Sequence, residues 1–171
     1  MNHEYPIEQF ARSTTTHFQL GFARMTMHLL PDCDEVLLEA SSGGLRILAR
    51  NETALALPRE LIRQIHCEHV ELDAPRVRLL HGDPIQEPIM WVRAAVRRNS
   101  AEEVIQDLFR RDAEVDEVDW IAFLPVIRAR ARLRHLLGYP SALAALTRDT
   151  GELKMWLSHY GPLMPDPRNA A

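Results

Sequence analysis

The 171-residue chain contains a single lysine, Lys154. A phosphate-binding P-loop needs Gly-x-x-x-x-Gly-Lys-Ser/Thr, because backbone N–H groups cradle the phosphates while the lysine neutralises them. Lys154 follows Leu153 and precedes Met155, so these residues hold no P-loop, and GTP hydrolysis by one is excluded. Cysteine is nearly as scarce. Cys33 and Cys67 are too few for a disulfide framework, and a reduced, cytoplasmic setting is expected. A basic excess is missing too. With net charge −4 and a pI near 6.1, no global positive field draws nucleic acid, and any such binding needs a local patch. No apolar run approaches the ~18–20 residues of a membrane span. The start, MNHEYPIEQF, lacks the basic residues and apolar stretch of a signal peptide, so no membrane partner is expected. Internal repeats and low-complexity tracts are absent from the sequence.

What is present is a globular composition, 46% hydrophobic and 26% charged, with room for one domain or two small ones. The chain begins at Met1 and closes in PDPRNAA, which reads as a complete chain with a tail or an edge strand at 1–16 and a loose tail at 164–171. Phe18, Leu20 and Phe22 alternate with polar or small neighbours, which predicts a strand from Phe18 to Leu30. Val36–Leu38 and Leu45–Leu48 read as a hairpin about Gly43-Gly44, and Pro58 opens a helix carrying Leu61, Ile62 and Ile65. Arg76 to Leu80 reads as a further short strand.

From Glu87 the punctuation is cleaner. Met90, Val92, Ala94 and Val96 predict a strand. Ser100-Ala-Glu-Glu103 reads as a capping box, opening a helix with Ala101, Val104, Ile105 and Leu108 on one face. Strands at Glu114–Trp120 and Val126–Leu133, a helix from Pro140 and a strand through Leu153, Met155 and Leu157 complete the order βαββαβ. That order is the ferredoxin-like split βαβ arrangement, a four-stranded antiparallel sheet with two helices on one face.

Glu87-Pro88-Ile89-Met90, Arg110-Arg111, Val126-Ile127, Leu133, Leu137-Gly138-Tyr139, Leu143, Leu146-Thr147, Gly151, Met155 and Ser158-His159-Tyr160 together resemble the C-terminal domain, domain V, of elongation factor G. The resemblance runs from Glu87 to Leu163. More weakly, Phe22–Pro31, Pro58-Arg59-Glu60 and Val77–Asp83 resemble domain IV of the same factor, cut short after Asp83. The resemblance implies an α+β protein: a truncated unit of the ribosomal protein S5 domain 2-like fold over 17–85, then a ferredoxin-like domain over 86–163. It also implies a non-enzymatic partner of the ribosome or of a translation factor. The alternative is a regulatory module that has left the ribosome and binds another protein. No cofactor, metal or small-molecule substrate is expected. Ala144 and Arg148-Asp149-Thr150 depart from the family's basic turn, and Asp149 opposes phosphate there.

Arg128, Arg130, Arg132 and Arg134 recur with period two and share one strand face, so they are candidates for contact with RNA or a partner, with Arg148 as a fifth. The competing reading is cross-strand pairing, with Glu114 opposite Arg132 and Asp116 opposite Arg130 while Arg128 and Arg134 stay unpartnered. His66-Cys67-Glu68-His69 offers metal-type ligands without a closed set of four. Ser158-His159 invites a catalytic reading, which strand geometry opposes because neighbours point to opposite faces.

Overall fold

The structure, a computed structural model, describes residues 3–121 and 123–165. The chain divides into two units, Met1–Val77 and Arg78–Ala171. The first comprises β1 (Ile7–Ser13), α1 (Gln19–Leu29), β2 (Val36–Ser41), β3 (Gly44–Ala49), α2 (Ala56–His66), β4 (Val70–Leu72) and β5 (Arg76–Val77). Its antiparallel sheet runs β2-β3-β1-β4, with β5 also pairing β1. The second comprises β6 (Gln86–Ala95), α3 (Arg98–Arg110), β7 (Glu114–Asp119), β8 (Val126–Arg132), α4 (Leu133–Leu136), α5 (Tyr139–Thr147) and β9 (Glu152–Pro162). Its sheet runs β7-β8-β6-β9. The second unit is ferredoxin-like as its punctuation predicts, with the one-turn α4 added after β8. The first is α+β too, but its elements run βαββαββ, the second unit's order with β5 added, rather than a truncated S5-type arrangement.

Two expectations about the first unit are corrected. Residues 7–13 are neither a tail nor an edge strand but the strand at the middle of the sheet, with Ile7, Gln9 and Ala11 buried. Gln9 hides the alternation, because a buried amide looks like an outward position. Its Nε2 donates to the Asp73 carbonyl at 2.5 Å and its Oε1 accepts from Arg59 Nε at 2.7 Å, so burial leaves no polar group unpaired. Residues 19–29 form a helix, not a strand. Phe22, Thr26 and Leu30 are buried at helical spacing, in a segment rich in helix formers such as Ala23, Arg24, Met25 and Leu29. A period of two over five residues was too short to outweigh that spacing. At the β2–β3 turn Gly44 holds φ +118°, and a Cβ there would meet the Ala11 carbonyl oxygen at 2.4 Å.

In the second unit Met90, Val92 and Ala94 of β6 and Ile127, Ala129 and Ala131 of β8 share the inward sheet face with Met155. Ala101, Val104 and Leu108 of α3 and Leu143 of α5 complete the core. The helix begins earlier than the capping box predicts. Arg97 is the N-cap, and the Ser100 N–H donates to the Arg97 carbonyl at 2.9 Å, which places Ser100 inside the first turn with no capping role. No helix of the described residues is long and apolar enough to cross a membrane.

Candidate functional site

Sheet pairing builds the open face of the second unit. Residues two apart on a strand share a face, and partners in register sit side by side. On the face opposite the core, Arg128, Arg93 and Lys154 therefore form one row across β8, β6 and β9, and Arg130, Trp91 and Trp156 form the next. The Arg130 guanidinium lies over the Trp91 ring at 5.0 Å. Trp156 is 46% exposed.

The arginine stripe is ion-paired along its length, in a register that differs from the expected one. Glu114 lies opposite Arg130, not Arg132: the strands pair one residue away from the expected register from Asp119 and Val126 onward, and the bulge of β7 at Asp116 adds one more. Arg130 consequently holds both Asp116 at 2.7 Å and Glu114 at 3.3 Å, and its hydrogen bond to Asp116 raises its pKa further. Arg128 pairs with Glu117. Arg134 is not on the strand but in α4, and it reaches Glu87 at 3.3 Å; Arg132 binds the same carboxylate. Arg128 and Arg134 are thus both ion-paired, whereas the expected register left them unpartnered. Glu87 is only 1% exposed, and it also accepts the Met164 N–H at 3.2 Å. A carboxylate buried to this degree needs such partners, because desolvation penalises its charge. Sequence reasoning took Glu87 as part of an opening motif and missed this role. It also missed Arg93, Lys154 and the tryptophans, although Trp91-x-Arg93 and Lys154-x-Trp156 carry the period-two signal.

Arg148 lies apart from this stripe. It ends α5 in the left-handed conformation (φ +52°) and lines a cleft of about 250 Å³ with Arg97, Asn99, Ser100, Glu103 and Thr150.

The remaining motifs resolve locally. His66 Nε2 meets Thr26 Oγ1 at 2.8 Å, its ring lies 4.9 Å from that of Phe22, and burial lowers its pKa. Cys33 and Cys67 are both exposed, and the described residues contain no group of three or more His, Cys, Asp or Glu able to hold a metal ion. Ser158 and His159 do hydrogen-bond, Oγ to Nδ1 at 3.0 Å, against the expectation from a regular strand. The β6–β9 register shifts beside them, and that irregularity breaks the strict alternation of faces. Among the described residues, no hydrogen bond to a third group orients the imidazole.

A family model described as "Elongation factor G C-terminus" matches residues 84–171, just over half of the chain. The chain belongs to that family. Curated elongation factor G proteins match the same region. That of Granulibacter bethesdensis is 31% identical over 90 residues, covering 53% of this chain and 13% of the relative. That of Gluconobacter oxydans is 32% identical over 90 residues, covering 53% and 12%. That of Fervidobacterium nodosum is 32% identical over 80 residues, covering 46% and 12%. The chain thus spans about an eighth of the length of these relatives. A solved structure from Thermus thermophilus aligns with a TM-score of 0.68 at 14% identity, covering 95% of this chain and 41% of the other, a likeness of fold.

Several residues that carry the elongation factor G C-terminal resemblance hold this unit together. Leu133, Tyr139, Leu143, Thr147 and Met155 are buried. Arg111 bonds Asp107 at 2.9 Å and the His135 carbonyl at 3.0 Å, and lies over the Tyr139 ring. Thr147 Oγ1 donates to the Leu143 carbonyl and accepts the Gly151 N–H, closing the α5–β9 turn.

Proposed function

We propose that this chain is a non-enzymatic, elongation factor G-like module that binds the ribosome or a translation factor in the cytoplasm, without GTPase activity of its own. The family match over residues 84–171 carries the reading. The lack of a P-loop in these residues agrees with it. Arg148 and Arg97, at the helix-side cleft, and the Arg128–Arg134 stripe are its candidate contacts. Co-sedimentation of the purified chain with ribosomal subunits at low and high salt tests it. Binding that weakens with salt, and weakens further in Arg148→Ala, is the expected result. Absence from the ribosomal pellet at low salt overturns it.

A second reading has its own support. Every member of the Arg128–Arg134 stripe has a carboxylate partner, which offsets the local positive charge. Such a face suits a regulatory module that binds another protein. Recovery of a defined protein complex from ribosome-free extract, with no ribosome-bound fraction, would favour it.

A further inference from the structure

We infer that the open face of the second sheet binds a short single-stranded segment of RNA, with Trp91 and Trp156 stacking bases while Arg93 and Lys154 take the phosphates. The choice of RNA over DNA rests on the translation reading; the stacking and the phosphate chemistry do not.

The argument begins with charge. Arg128, Arg93 and Lys154 sit directly opposite one another across three adjacent strands. Like charges in that position destabilise a sheet. Glu117 answers Arg128, but among the described residues neither Arg93 nor Lys154 has an ion pair. The first sheet treats its cations differently. On the face away from Gln9 and Arg59, Arg46 holds Glu8 at 2.6 Å and Glu39 at 3.3 Å, and Arg12 holds Asp73 at 2.5 Å. Among the described residues, only the second sheet sets two directly opposed cations side by side with no ion pair, and an external polyanion supplies what they lack.

The aromatic pair selects among polyanions. Trp91 and Trp156 are directly opposed, two residues along each strand from the cations and so the next pair on the same face. Four-stranded sheets stack two or three bases of single-stranded RNA on face aromatics, and every base has a π-face, so stacking is tolerant of sequence. Duplex RNA offers no unstacked base. Against a protein partner stands Lys154, because lysine is depleted in protein interfaces, although arginine and tryptophan are not.

The test uses the full chain and a 5′-labelled eight-nucleotide single-stranded RNA, titrated by anisotropy and tryptophan quenching over a range of salt. The expected result is binding at low salt with quenched emission. Trp156→Ala weakens it about fivefold to a hundredfold, and Trp156→Phe, which keeps a ring, restores most of it. Arg93→Gln with Lys154→Gln flattens the log–log salt slope by about 1.4, from about 0.7 counterion released per phosphate neutralised. Circular dichroism on each variant separates these effects from loss of fold. Four outcomes overturn the proposal: no binding at low salt, equal binding of Trp156→Ala in a folded variant, equal binding of duplex RNA, or tighter binding of an octaglutamate peptide. The last points to a protein partner. Ribosome co-sedimentation is scored separately, so loss of oligonucleotide binding with pelleting retained sinks this inference and leaves the proposed function standing.

Discussion

The two units share a strand order and solve it with different materials. The first sheet ends in short strands, β4 with three residues and β5 with two, whereas the second ends in the eleven-residue β9. In the first, Arg12 and Arg46, facing away from the helices, are neutralised inside the unit by Glu8, Glu39 and Asp73. In the second, neutralisation is thorough at the Glu87 end and stops before Arg93 and Lys154. The difference separates a face whose charges complete the fold from one whose charges exceed what the fold uses.

Breaking the buried end of the second sheet has the largest expected effect. Glu87→Gln sets a neutral amide against two guanidiniums and costs about 2–3 kcal/mol, read as a lower urea midpoint at unchanged m-value. In the first unit, Gly44→Ala forces a Cβ against the Ala11 carbonyl at a positive φ and costs about 1–3 kcal/mol by the same assay. His66 distinguishes the units by pH. Burial depresses its folded-state pKa, so protonation favours unfolding; the stability is present above the unfolded value of about 6.5 and is lost as pH falls below it. Thermal midpoints between pH 7.5 and pH 5 should fall less steeply in His66→Gln than in the parent. The smallest effects carry opposite signs. Arg46→Gln lowers stability by about 0.2–1 kcal/mol through its lost pairs. Arg93→Gln with Lys154→Gln raises it by a few tenths, by about the magnitude of one cross-strand pair. A loss of stability in the double variant would erase the contrast between the two faces.

The second unit was legible because each of its elements announces itself within a few residues. Met90, Val92 and Ala94 are apolar and inward, and Ala101, Val104 and Leu108 keep a helical period. The first unit resisted reading because its signals depend on distant residues. Gln9 is buried only because Asp73 and Arg59 meet it, and the helix at 19–29 begins with alternating apolar residues that mimic a strand. No sequence repeat betrays the shared strand order, because a common topology requires a common pattern of burial and not common residues. The site was half visible. The arginine stripe follows from period two, but its partners depend on a bulge at Asp116 that the run EVDEVD does not mark. The tryptophan pair needs the register between β6 and β9, strands more than fifty residues apart in the chain, which no local pattern supplies.

Lys154 carries the only side-chain primary amine in the protein, and it stands exposed on the open sheet, beside Arg93 and one step from the tryptophan row. That makes the surface a natural reporter of its own occupancy. An amine-acylating reagent modifies one side-chain position, so the fraction of the Lys154 peptide left unacylated counts the covered molecules. Whatever ligand covers this face will slow acylation of a single peptide, and a partner that binds elsewhere will leave its rate untouched.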